Sequence, residues 1–307
     1  MTGALLLALI VAAEPVSSIQ WLMGSPLRLV VPSGTEPGLV AACFDEARAY
    51  EDLLSTWRDG TPLQRLNESG AGRHRIPPAL HGYLARVRDD HARTDGAFDP
   101  SVGTLRVEDG TAPIGMDRLA LERSGDTTFA LLPHDAYRVD PGGDGKGLAV
   151  DAMIARLREA GVPRALIDFG GSSWFGLGSP AGAGAWRVEL AAPGGAPLAT
   201  VSLRDRSLSV SSTVQVDHTE DGGTVRCFHL VDPRTRHPVT VERTVAVVAT
   251  SATDAEVVST AIAVDGWERA RTWIDRFEGV EVAVFEDGRV VVTSPSFAPA
   301  PGLREQE

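Results

Sequence analysis

Residues 140–173 read DPGGDGKGLAVDAMIARLREAGVPRALIDFGGSS, and the order of pieces in that stretch decides what kind of fold the chain makes. A glycine cluster (Gly142, Gly143, Gly145, Gly147) runs into an amphipathic helical pattern that stops at Gly161, and a short apolar strand from Ala165 to Phe169 then returns to the pair Gly170 and Gly171. Glycines let a backbone approach a charged ligand closely, and the N–H groups and dipole of the following helix favour an anion. The same letters also describe a plain turn before a helix. The neighbouring segments must decide between the two readings.

Upstream, Leu27, Leu29 and Val31 alternate as a half-buried strand, and Phe44, Ala47, Tyr50, Leu54 and Trp57 recur at helical spacing. A loop holding Leu63, Leu66 and Asn67 follows, then a helix over 78–91 and a functional-looking loop, TDGAFDPSVG, at 94–103. Residues 105–139 suggest strands at 129–132 and 137–139. Downstream, AWRVELA, LATVSL and SLSVSS read as an antiparallel meander. The strand VRCFHLV puts Val225, Cys227 and His229 on one face. TVAVVAT reads as a strand buried on both faces. Helices over 254–264 and 267–277 come next, and two strands flanking the hairpin signal EDG close the pattern. Strands in runs with helices inserted between them predict an α+β fold, with mixed, largely antiparallel sheets and flanking helices.

With 307 residues the chain can bury a sizeable core. Its 41 acidic residues against 29 basic ones give a net charge of −12, which disfavours non-specific nucleic-acid binding and obliges any anionic ligand to meet focused positive groups or a metal. Two cysteines, Cys43 and Cys227, make neither a disulfide framework nor a zinc site. Residues 1–13 form a short apolar run ending in small residues, as in a secretory signal or tether, although no Lys or Arg precedes it. The expected organisation is a signal or apolar N-terminal segment over 1–15, a single domain over 16–293, and a disordered Pro-rich tail over 294–307.

Several residues suit phosphate chemistry. Glu256 and Thr260 lie one helical turn apart, an oxygen pair that can hold magnesium. Thr253 and Glu256 equally form a capping box, which gives Glu256 a purely structural duty. His229, near Asp232 and Arg234, suits a base or a structural histidine. Cys227 shares the His229 face and reads as a packed thiol, with a nucleophile as the alternative, since nothing in the sequence lowers its pKa. Lys146 can meet a phosphate inside the glycine loop, but the spacing is neither that of a P-loop nor that of a dinucleotide fingerprint.

Taken in order, MGS at Met23, LSTW at Trp57 with Asn67, DGAFDPSVG, DPGGDGKGLAVD, IDFGG, HLVDPRT and AEVVSTA resemble the FAD:protein FMN transferase family, the ApbE-type flavin transferases. The resemblance covers about residues 20–293. It implies an extracytoplasmic, periplasmic or membrane-tethered enzyme that uses magnesium, splits FAD at its pyrophosphate, releases AMP and esterifies FMN to a Ser or Thr of an acceptor protein. It further implies that Met23, Trp57, Ala97, Phe98 and Asp99 line the FAD site, and that Lys146, Leu148 and Leu230 lie near the pyrophosphate. The metal would be held by the Gly145 carbonyl, Glu256 and Thr260. His229 is then the candidate base, with Asp151 as a second acid–base or orienting group. The chain departs from the family where Asp is usual and it has Glu256, and at Gly145, Ser172, Ser211, Ser212 and Arg236. Those departures keep two alternatives in view: a non-catalytic FAD-binding or scavenging protein, and a FAD pyrophosphatase that gives FMN and AMP.

Overall fold

The structure, a computed structural model, describes residues 15–107, 111–218 and 224–305. The apolar run at 1–13 lies outside the described residues, among which no helix is long and apolar enough to cross a membrane. The helices are α1 (Pro37–Leu54), α2 (Pro62–Glu68), α3 (Pro78–Arg93), α4 (Gly145–Glu159), α5 (Ala252–Asp265) and the single turn α6 (Trp267–Ala270). The main sheet orders its nine strands as Val16–Leu22, Ser25–Val31, Ala165–Phe169, Ser173–Leu177, Arg206–Ser212, Arg243–Ala249, Glu281–Glu286, Arg289–Thr293 and Arg304–Glu305. Every neighbouring pair is antiparallel except the last. The fold is mixed and largely antiparallel, as expected.

Side-chain alternation explains how the sheet is covered. In Arg243–Ala249, Val245 and Val247 face a core shared with α3 and α5, whereas Ala246 and Val248 face a second core under the three-stranded sheet Trp186–Ala191, Pro197–Leu203 and Phe297–Pro299. Both faces are therefore dry, and the strand reads as an unbroken apolar run. At the other end of the sheet, Leu27, Leu29, Ile167 and Phe169 pack against Phe44 of α1 and Met153, Ile154 and Leu157 of α4. Each such fully buried side chain contributes roughly 1.5–3 kcal/mol against the chain entropy lost on folding. Helix α5 is apolar around most of its circumference, with Ala255, Val257, Val258, Ala261, Ile262 and Ala263 all buried. A helix of that composition belongs inside, and it lies between the main sheet and α4.

Four expectations are corrected. Residues 62–68 form α2 rather than a loop, because Thr61 accepts the Gln64 N–H and Pro62 starts the helix with no amide to strand. The 267–277 helix is broken into α6 and a 3₁₀ turn at Ile274–Arg276, which buries Trp273 with its indole N–H 3.0 Å from Asp265. Residues 137–139 are not a strand; Val139 is instead held by both polar atoms of the Asn67 amide at 2.9 Å. The tail is ordered at Phe297–Pro299, where backbone pairing with Ala199–Val201 and burial of Phe297 outweigh the polar, Pro-rich composition.

Candidate functional site

The glycine loop is built from the inside out. Asp140 accepts the Gly142 N–H at 2.9 Å, which closes a 3₁₀ turn over Pro141–Gly143 before α4 starts at Gly145. Gly147 is required by close approach: a Cβ there would lie 2.7 Å from the Ala252 carbonyl oxygen and the Thr253 Cα at the start of α5. Its N–H donates to Glu256 Oε2 at 2.7 Å, and the Ser173 hydroxyl donates to Glu256 Oε1. Across the loop, Gly143 lies against the Phe98 ring and Thr260, whose hydroxyl is 3.4 Å from the Gly143 carbonyl oxygen.

Two cavities open on either side of this loop. One, of about 430 Å³, is lined by Ala97, Phe98, Asp99, Lys146, His229, Leu230 and Thr260 among others. The second, of about 140 Å³, is lined by Met23, Trp57, Gly145 and Lys146 among others. Lys146 faces both. Met23 adopts a left-handed φ of 47° and donates its N–H to Glu51 Oε1 at 2.7 Å, so the turn before Gly24 is fixed by α1. Trp57, 87% exposed, stands on the rim beyond the end of α1. Asp99 holds its own loop: Oδ1 accepts from the Ser101 N–H at 2.9 Å and the Ser101 hydroxyl at 2.6 Å, and His91 lies 3.6 Å from Oδ2. Burial raises the Asp99 pKa, against the pull of His91 and Ser101.

Not every sequence-derived residue reaches the cavities. Asp151 does not: its carboxylate accepts from the Ser251 hydroxyl (2.8 Å), the Ala252 N–H (2.7 Å), the Thr253 N–H (3.0 Å) and the Thr253 hydroxyl (2.7 Å). Four donors saturate it, so it reads as the clamp on the start of α5 and not as an acid–base group. Leu148 lines neither cavity and packs, half-buried, against the core. The capping-box reading of Glu256 also fails, because Ser251 is the N-cap and accepts the Asp254 N–H. Glu256 is 5% exposed and does not line the larger cavity. Burial raises its pKa, opposed by Lys146, Ser173 and the Gly147 N–H.

Ser172, Ser211 and Ser212, marked in the sequence as departures from the family pattern, line the larger cavity. Two contributors escaped the sequence, and the first is Arg106, which pairs with Asp140 at 3.0 Å and lines the same cavity. Asp144 is fully buried and its carboxyl is pushed well above the usual carboxylate range by desolvation and by nearby Glu256. Its Oδ2 has no hydrogen-bond partner among the described residues. Nothing local in the sequence singles out Arg106 or Asp144, since their partners are far along the chain.

Among the described residues no three His, Cys, Asp or Glu side chains converge on one point. Magnesium needs fewer, because it takes one or two carboxylates and shares the rest of its shell with phosphate and water. The oxygens of Glu256 each keep a lone pair beyond the bonds described, Thr260 offers a hydroxyl, and the orphaned Asp144 Oδ2 is a buried acceptor that needs a positive partner. This all-oxygen donor set fits a hard divalent cation.

The chain is similar in sequence to the FAD:protein FMN transferase of Treponema pallidum (28% identical, covering 89% of this chain and 85% of the relative) and to that of Escherichia coli K12 (26%, 76% and 72%). In fold it is similar to the flavinyl transferase ApbE of Pseudomonas stutzeri in its apo form (TM-score 0.73, 23% identical, 94% of each chain) and to the ApbE protein of Thermotoga maritima (TM-score 0.76, 19% identical, 96% and 100%). The family profile matches residues 23–284, a span that starts at Met23 beside the second cavity and runs through the glycine loop, His229, Glu256 and Thr260, so this chain belongs to the ApbE family.

Proposed function

We propose that the protein is a FAD:protein FMN transferase that moves FMN from FAD to a Ser or Thr hydroxyl of an acceptor protein, releases AMP and depends on magnesium. The observation that carries this reading is Lys146 at the mouth of α4, facing both cavities, with His229 on the wall of the larger one. A dinucleotide laid across the loop has its pyrophosphate beside that ammonium group and the N–H groups of the first turn, where negative charge is favoured. Phe98 and Trp57 offer ring faces on the two sides, and Met23, Ala97 and Leu230 offer apolar wall. Asp99, bound to Ser101, keeps the Phe98 loop in place.

In the transfer, the acceptor oxygen forms a bond to the FMN phosphorus while the bond from that phosphorus to the bridging oxygen of AMP breaks. His229 receives the proton of the acceptor hydroxyl. Magnesium, when bound, neutralises charge on the pyrophosphate. Glu256 and Thr260 would hold it, with the Gly145 carbonyl. The acceptor is read as a separate polypeptide presenting a hydroxyl residue in an exposed loop, and residues 1–13 as a leader or tether that places the enzyme outside the cytoplasm. The sequence relatives carrying the transferase name support the reading.

The test incubates the full chain with FAD, magnesium and a candidate acceptor, and measures AMP together with the fate of FMN. AMP with a covalently fluorescent acceptor is expected, whereas AMP with free FMN indicates water as acceptor. Neither product across a range of acceptors and metals would sink the proposal. His229→Ala is expected to slow AMP release by about 100-fold or more while FAD still quenches on binding.

A further inference from the structure

Asp144 sits between the two points where α5 touches the glycine loop. One residue before it, the Gly143 carbonyl oxygen is 3.4 Å from the Thr260 hydroxyl, and three residues after it, the Gly147 N–H is bound by Glu256 at 2.7 Å. The Asp144 side chain has no exposure, and its Oδ1 accepts from the Tyr83 hydroxyl at 3.2 Å. Oδ2 meets no donor among the described residues. Its electrostatic surroundings are mostly acidic, with Glu256 first and Asp90 also contributing. Arg86, whose guanidinium acts on Asp144, is already bound to Asp90 at 3.2 Å and to Asp254 at 2.7 Å. A carboxylate oxygen held dry beside a second buried carboxylate is strongly unfavourable unless one of them takes up a proton or a cation lies between them, and an Oδ2 with no acceptor for that proton among the described residues favours the cation.

We propose that Asp144 Oδ2 is a direct ligand of the divalent cation, so that this chain grips its metal with two carboxylates, Asp144 from the loop and Glu256 from α5, alongside the Thr260 hydroxyl. The inference rests on the metal-dependent reading given above and adds to it a residue that the carried-over ligand set lacks. It also gives the Glu256 side chain a companion. Glu256 spends one bond on Gly147 and one on Ser173, and Asp144 supplies the negative charge that those bonds draw away from the cation. Two carboxylates with phosphate and water completing the shell match the way magnesium is usually held.

The experiment titrates Mn²⁺ into the flavin-free full chain, with free Mn²⁺ read by electron paramagnetic resonance and Tm recorded in EDTA and in excess Mn²⁺. Asp144→Asn keeps shape and the acceptor for Tyr83, and is expected to weaken Mn²⁺ binding at least 10-fold, to raise Tm in EDTA, and to abolish the Tm rise that Mn²⁺ gives the unaltered protein. Tyr83→Phe, which removes only the Oδ1 bond, is expected to keep metal affinity within about 3-fold, and so separates loss of a ligand from loosening of the loop. FAD quenching in EDTA is expected to be unchanged in Asp144→Asn. Wild-type affinity for Mn²⁺ in Asp144→Asn overturns the assignment and leaves metal-dependent transfer standing. A Tm rise with Mn²⁺ in Asp144→Asn equal to that of the unaltered protein also overturns it, since the substitution would then have relieved an acid without removing a ligand. If the unaltered protein flavinylates an acceptor fully in EDTA and binds no Mn²⁺, the metal-dependent reading itself falls and takes this one with it.

Discussion

Replacing Gly147 by Ala tests whether the position of the loop is set by contact with α5. The new methyl would sit 2.7 Å from the Ala252 carbonyl oxygen and the Thr253 Cα, both backbone atoms that no rotamer change can move. Ordinary contact needs about 0.7 Å more, so one helix must shift, and overpacking of that kind costs about 1–3 kcal/mol. The shift also stretches the 2.7 Å bond from the Gly147 N–H to the buried Glu256 carboxylate. Hydrogen bonds to charged groups are worth about 1.5–3 kcal/mol. Against this, Ala gains up to about 1 kcal/mol of helix propensity over Gly. The net expectation is a loss of about 2–4 kcal/mol, read from urea unfolding followed by tryptophan fluorescence in metal-free buffer. Gly38→Ala in α1 is the matched control, since its Cβ would meet nothing within 4 Å and its φ is not in the left-handed region; it should be neutral or gain up to about 1 kcal/mol. A Gly147→Ala protein within 0.5 kcal/mol of wild type would refute the argument that close approach, rather than loop flexibility, fixes this glycine.

Asp151→Ala removes the acceptor for four donors at the start of α5 and should cost about 2–4 kcal/mol, while the pH profile of turnover per folded molecule stays put; a displaced pH optimum would restore an acid–base role. Trp57→Ala, at 87% exposure, should leave stability within about 0.5 kcal/mol and weaken FAD binding by about 10-fold, and unchanged FAD affinity would remove Trp57 from the site. Burial pushes the Cys43 thiol from 9.0 to about 11. Because the folded value is the higher, the unfolded chain ionises first, and stability present below pH 9 should be lost between pH 9 and 11, by up to roughly 2–3 kcal/mol. Cys43→Ala should flatten that part of the stability curve, and an unaltered curve would argue against the shift.

Much of the architecture could be read from periodicity because the relevant signals are local. The alternation in Leu27, Leu29 and Val31 and the unbroken apolar run ending at Ala249 each report the number of buried faces of their own strand. The hairpin at Asp287 and Gly288 was visible for the same reason, since both residues take positive φ there and the letters announce it. Where the reading failed, the deciding partner is distant. Asp151 looks like a free acid on a helix until Ser251 and Thr253 are brought against it, about a hundred residues away. Thr253 and Glu256 match a capping box, but Ser251 two residues earlier takes the cap and leaves Glu256 facing Gly147. In the tail, one aromatic side chain in the second core outweighs a polar composition. The convergence of Lys146, His229, Phe98 and Thr260 on one cavity required the order of several motifs, since no single spacing points to it.

Asp151 and Glu256 have related structural work, and together they explain how a glycine-rich loop can hold a defined shape. Asp151, on α4, accepts the first backbone N–H groups of α5; Glu256, on α5, accepts a backbone N–H from the first turn of α4. Each helix therefore satisfies amides that the other leaves open, and each places a negative charge at the positive end of the other's dipole. The exchange ties two helix starts together at both ends of the Gly147 contact, so the loop carries little freedom of its own despite its composition. Thr260 lies one turn beyond Glu256 on the same rigid helix, and His229 faces the same cavity from the opposite end of the sequence pattern. Loosening either carboxylate should then move Lys146 relative to Thr260 without touching either one. Asp151 serves only this frame, whereas Glu256 adds to its proposed place beside the metal the bond that gives the cavity residues a fixed geometry to act from.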